Sequence, residues 1–165
     1  MARSDSFFIR ATVPTDGTNF NQVAIDLGSY VNVLSKDVLR LHNIQVEYGA
    51  PNENVGNVTP NFQSELFFQL TTQSQTAAVN LANRSVVSSG QLNVSADAAN
   101  ALLYQADSMN ASMQEWTCGY LIAVESLYLG CKQDVDLLSQ VSIILECTSE
   151  TMTQAAAMAL SLSQQ

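Results

Sequence analysis

The chain has 165 residues, 47% of them hydrophobic and only 13% charged, with six Lys+Arg against fifteen Asp+Glu for a formal net charge of −9. That length suits one domain with a full core. The charge balance excludes the basic surface that holds nucleic acid or an acidic membrane. Asn, Gln, Ser and Thr make up about a third of the chain and replace the missing charges. Neutral polar side chains lose less on desolvation than ions do, so this surface suits contact with other protein, although extracellular and halotolerant proteins share the composition.

From the start, Ser6–Val13 alternates: Phe7, Ile9, Ala11 and Val13 share one face, and Pro14 with Asp16-Gly17 ends the strand. Asn21–Leu27 alternates again. Tyr30–Leu34 is short and apolar, an edge strand or part of a loop. Val38–Tyr48 changes phase: Leu39 and Leu41 have one parity, Ile44, Val46 and Tyr48 the other. One extra residue at His42-Asn43 brings both sets to one side, as a β-bulge does. Gly49–Pro60, GAPNENVGNVTP, is the clearest loop and long enough to be a contact loop.

Glu65–Thr72 reads as a strand and Thr76–Asn83 is ambiguous. Arg84–Ser88 and Gln91–Val94 read as a short hairpin around Ser89-Gly90. Ser95–Asp107 reads as an internal helix, with Ser95 as N-cap, Asp97 in the first turn, and Ala98, Leu102 and Ala106 on one face. Trp116–Leu129 is apolar on both parities and reads as one central strand, followed by a turn and a second long strand, Leu138–Thr148, beside it. Ser149–Gln165 is Ala- and Met-rich and reads as a C-terminal helix with a stripe of Met152, Ala155, Ala156, Ala159 and Leu160, capped by Thr148 or Ser149. A helix this short needs something to pack on, either its own domain or a neighbouring subunit.

The resulting fold class is mainly β: an antiparallel β-sandwich, as a single jelly roll, with one internal helix and a C-terminal helix. Residues 1–148 form the sandwich and 149–165 the helical tail.

Chemistry-bearing patterns are sparse. His42, the only histidine, has no nucleophile or orienting acid nearby in sequence, and a cupin-type metal site needs several histidines. Asp134 and Asp136 in KQDVDL are the candidate metal pair, for Ca²⁺, but the segment lacks the further Asp, Asn and Gly positions of a calcium loop. A solvated turn explains them as well. Glu125 falls in apolar surroundings, where a raised pKa would be notable but a paired or half-exposed acid is commoner. Trp116, Tyr120 and Tyr128 could line a sugar platform or, at period two, the core. Cys118, Cys131 and Cys147 form no C-x-x-C pair and read as reduced and buried. No phosphate loop, nucleophile elbow or zinc spacing occurs, so no enzyme activity and no cofactor are expected. No secretory h-region or membrane-length apolar run is visible.

The succession SFFIRATV, QVAIDL, VLRLHNIQVEY, ELFFQLTT, WTCGYLIAVESLYL and LLSQVSIILEC, set in a neutral polar surface, resembles the single jelly-roll coat proteins of tailless icosahedral viruses. The resemblance implies a capsid subunit of the virion that is synthesised in the host cytoplasm. Its partners would be copies of itself and other virion proteins, without membrane insertion. Coats that package nucleic acid directly often carry a basic arm, and here only Arg3 and Arg10 flank Asp5. That departure favours a double-stranded genome handled by other proteins, or an internal membrane beneath the shell. The expected subunit contacts are Pro51, Asn52, Val55 and Val58 in the loop, and Met152, Met158, Leu160 and Leu162 in the tail. A β-sandwich binding module, such as a fibre, adhesin or glycan-binding domain, is the alternative.

Overall fold

The computed structural model describes residues 4–32, 34–53, 61, 63–96, 103–107, 113–136 and 138–165. Among these residues nine strands run in order: β1 (Phe7–Pro14), β2 (Asn21–Asp26), β3 (Asp37–Tyr48), β4 (Gln63–Thr71), β5 (Val86–Ala96), β6 (Leu103–Asp107), β7 (Met113–Ile122), β8 (Ser126–Gln133) and β9 (Gln140–Thr151). A helix, α1 (Gln154–Gln164), follows. One sheet has the order β1-β9-β3-β7 and the other β2-β8-β4-β5-β6, every pairing being antiparallel. Chain-adjacent strands mostly change sheet, and β9 returns to lie between β1 and β3. Without β6, this is the connectivity of an eight-stranded jelly roll.

The inner faces of the two sheets form the core. Leu39, Leu41, Ile44, Val141, Ile143 and Leu145 of the first sheet meet Leu66, Phe68, Leu70, Leu92, Leu127 and Leu129 of the second. The phase change in β3 is a bulge: its register with both β7 and β9 shifts between Leu41 and Asn43. The extra residue carries Leu41 and Ile44 to the same buried side.

Four sequence expectations are corrected. Trp116–Leu129 is not one strand but two, β7 and β8, in opposite sheets. Tyr120 and Ile122 pair with Leu41 and Leu39, while Leu127 and Leu129 enter the core from the other sheet. The parity of the inward face switches at the turn, so both parities look apolar. The strand after that turn, β9, pairs with β1 and β3 and not with β7 or β8. The hairpin around Ser89-Gly90 is a single strand. Gly90 is there because the Phe68 ring occupies its side-chain space: a Cβ would sit 2.5 Å from Phe68 Cε1. Finally, the internal helix Ser95–Asp107 is not formed over its second half. Leu103–Asp107 is β6, pairing Ala96↔Leu103 through Leu92↔Asp107. The free margin of β5 offers a row of backbone partners, which overrides the alanine-rich propensity. Residues 97–102 lie outside the described set.

The tail helix begins later than its sequence suggests, because β9 continues to Thr151. Thr153 is the N-cap, its side chain accepting from Ala156 N. The helix turns Ala157, Ser161 and Gln164 inward, at i, i+4 and i+7, while Ala155 and Ala159 are exposed. Ala157 packs with Val38 and Ala123, joined by Leu121, Met152 and Leu160.

Candidate functional site

The expected contact and metal positions fall in three places. The first is the sandwich end where the Gly49 loop meets the turn before β9. Gly49 N donates to Gln140 O at 2.8 Å. The Glu53 carboxylate accepts from Ala50 N at 2.6 Å, from Ser139 N at 3.0 Å and from Ser139 Oγ at 2.8 Å. The bond from Ala50 N, helped by those from Ser139 and opposed by slight desolvation, holds this carboxyl below the usual range. Pro51 and Asn52 are exposed at the apex, with Asn52 in the left-handed region at φ 67°. Val55 and Val58 lie outside the described residues.

The second place is the turn after β8. The Asp134 carboxylate accepts from Ser64 Oγ at 2.7 Å and Glu65 N at 2.8 Å. Desolvation raises its pKa, but the amide of Glu65, the hydroxyl of Ser64 and the turn's own amides outweigh that and hold it below the ordinary value. Asp136 accepts from Gln133 Nε2 at 3.1 Å, and Gln133 Oε1 in turn accepts from Leu138 N at 3.1 Å. Both acids therefore serve the turn, and no group of three metal-ligating side chains occurs among the described residues. Beside Asp134 lies a cleft of about 470 Å³ with Phe67, Gln91 and Lys132 on the outer sheet face.

The third place is the tail. Met152 and Leu160 are half-buried in the chain's own cluster, whereas Met158 and Leu162 are 49% and 68% exposed. Sequence reasoning missed what locks this helix down. Gln164 is buried, its Oε1 accepting from Ala123 N at 2.9 Å and its Nε2 donating to Leu121 O at 2.7 Å. Its backbone carbonyl accepts from Thr72 Oγ1 at 2.8 Å. One residue thus ties the helix to the exit of β7 in one sheet and the exit of β4 in the other.

The remaining polar candidates are structural. His42 Nε2 shares a hydrogen bond with Thr148 Oγ1 at 2.9 Å. Arg40 makes a bidentate pair with Glu150, at 2.6 Å and 2.8 Å, and also donates to Cys118 O. The hydrogen bond to Glu150, partly opposed by desolvation, raises the Arg40 pKa. Gly119, at φ 71°, gives the Arg40 stem room to cross β7. Glu125 is exposed in the turn between β7 and β8, where its carbonyl accepts from Leu27 N, and not set in an apolar strand. Trp116 and Tyr120 are partly buried against the core. Cys131 and Cys147 are buried, and desolvation pushes their thiols up to about 11 and about 12; Cys118 is exposed, contrary to the reading of three buried thiols.

No family model and no curated protein matches this chain. Several solved structures are similar to this chain at low TM-scores. A human polyomavirus 7 VP1 pentamer gives a TM-score of 0.49 at 8% identity, covering 89% of this chain and 95% of that one. An unassembled Washington University polyomavirus VP1 pentamer gives 0.48 at 11%, covering 87% and 91%. Empty particles of cowpea mosaic virus give 0.34 at 11%, covering 93% and 88%. The jelly-roll assignment rests on the connectivity of this chain's own strands.

Proposed function

We propose that the chain is a structural virion protein, a coat subunit that assembles with copies of itself and with other virion proteins. The observation that carries this reading is a jelly roll whose C-terminal helix is pinned on one face and apolar on the other. Met158 and Leu162, one turn apart, face solvent. The residues around them are fixed to both sheets through Gln164. A rigidly held apolar ridge loses little conformational freedom on contact, which favours its use in an interface. Pro51 and Asn52 add a second exposed contact. The charge-poor, neutral polar composition supports the same reading. The acidic balance argues against direct genome binding by this chain, and no step of this role calls for catalysis or a cofactor.

The test is Met158→Ser with Leu162→Ser. Assembly should fall at least tenfold in association constant, while the unfolding midpoint should hold because neither side chain is buried. Unchanged assembly would remove the helix from the interface.

A glycan-binding module is the second reading, favoured by the cleft over Phe67 with Gln91 and Lys132 at its rim. Saturable binding on a glycan array, abolished by Phe67→Ala, would support it.

A further inference from the structure

We infer that β1 is a self-complementary edge, through which two copies of the chain join their four-stranded sheets into one continuous sheet across a twofold axis. This rests on the assembly reading above and names one of its contacts.

Thr15 N donates to Ser139 O at 2.9 Å, continuing the β1–β9 register of Phe7↔Cys147 to Pro14↔Gln140. Hydrogen-bonded and non-hydrogen-bonded pairs alternate along an antiparallel ladder. The odd residues of β1 therefore bond to β9, and the N–H and C=O groups of Phe8, Arg10 and Thr12 point away from it. The opposite ladder agrees: Gly49 N bonds to the even residue Gln140. Among the described residues β1 has no second neighbour in its sheet. Pro14, which lacks an N–H, has the same parity as the free positions and marks the end of the usable edge.

Exposed edges are normally blunted by lysines, bulges or brevity. β1 has eight residues in unbroken register, a single charge at Arg10, which the Phe8 ring stacks on, and its one proline only at the last position. β7, at the other margin of the same sheet, carries a register break against β3. The side chains fit a partner as well. Phe7, Ile9 and Ala11 pack against the core yet remain half-buried. Beside them a cleft of about 490 Å³ opens toward Val23 and Ile25 of the other sheet and toward Tyr30 in the turn after β2. Its two charged residues, Arg10 and Asp26, have opposite signs, so a copy bringing one of each adds no net charge in a chain of −9.

The chemistry selects a second copy and a register. Pairing the free even positions antiparallel can set Arg10 against Arg10, which repels; Arg10 against Thr12, which puts Pro14 opposite Phe8 within the paired stretch; Phe8 against Phe8, which leaves most of β1 unpaired; or Phe8 against Arg10 in both directions. The last arrangement repeats across the axis the stack already made within β1, where the Arg10 guanidinium lies 5.8 Å from the Phe8 ring centre. It also places Ile9 against Ile9 at the axis and leaves Pro14 beyond the paired stretch.

The experiment uses sedimentation equilibrium of the full chain, with thermal unfolding as the folding control. Phe8 is 54% exposed, so its replacement leaves the core intact. Phe8→Lys sets two lysines against two arginines and should weaken dimerisation at least tenfold. Thr12→Pro removes a free-edge N–H without touching a backbone bond to β9, though it also removes the 3.0 Å bond between Thr12 Oγ1 and Ser142 Oγ, and should weaken dimerisation, whereas Thr12→Val, which removes that side-chain bond alone, should not. Adding Arg10→Glu to Phe8→Lys should restore dimerisation, because the new lysine then faces the new glutamate. If the double variant stays dissociated, the register is wrong. If Phe8→Lys and Thr12→Pro associate as the parent does, β1 is not the contact and the assembly reading survives. If the parent is monomeric at every concentration, both fail together.

Discussion

Replacing Gln164 by alanine tests how the tail is held. Its side chain supplies a donor and an acceptor to Leu121 O and Ala123 N, at 2.7 Å and 2.9 Å. Each such bond contributes about 1 kcal/mol net, and a backbone group left dry and unpaired costs about 1 kcal/mol or more in addition. A cleft of about 480 Å³ beside Thr72, Ala123 and Ser161 gives water a route to part of the vacated site, which limits the penalty. The sum is a loss of roughly 2–3 kcal/mol, or about 5–10 °C in Tm for a domain of this size. Urea unfolding gives the global value, and hydrogen exchange at the Ala123 amide gives the local one. A change below about 0.5 kcal/mol, with Ala123 still protected, would refute the claim that this amide fixes the helix.

Three further outcomes are expected. A thiol reagent should label Cys118 alone in the native protein and all three cysteines after denaturation, since burial keeps Cys131 and Cys147 protonated with pKa values of about 11 and about 12; fast native labelling of two or more would contradict the core described. Gly90→Ala drives a methyl group into the Phe68 ring and should cost about 1–3 kcal/mol in a denaturant titration. Asp134 titrates below its ordinary value, so between the two the unfolded chain binds more protons and stability is lost as pH falls through the folded pKa. Asp134→Asn should therefore flatten the acid limb of the stability curve below about pH 4, and an unchanged slope would show that the turn hydrogen bonds do not act through the carboxylate.

The alternating strands were legible because each has one buried face: Phe7–Val13, Val23–Leu27 and the two halves of β3 around their bulge follow from periodicity alone. The failures have specific causes. Gly90 looked like a turn because glycine usually marks one, and only the position of Phe68 across the sheet explains it. The run from Trp116 to Leu129 looked like one strand because a tight turn hid a switch of parity. Residues 103–107 looked helical because the margin of β5 that captures them is absent from local sequence. Gln164 carried no signal at all: a glutamine near a polar end reads as surface, and its value comes from two backbone groups of β7's exit more than 40 residues away. The acids at Asp134 and Asp136 were visible, but their commitment to Ser64, Glu65 and Gln133 depends on tertiary contacts.

The measurement closest to the central claim is the mass of the purified chain by sedimentation velocity over a wide concentration and salt range, with electron microscopy of the heaviest species. A coat subunit should associate reversibly into discrete oligomers that close into rings or shells, weakened by Met158→Ser with Leu162→Ser. A chain that stays strictly monomeric under all these conditions would contradict that claim and leave the binding-module reading.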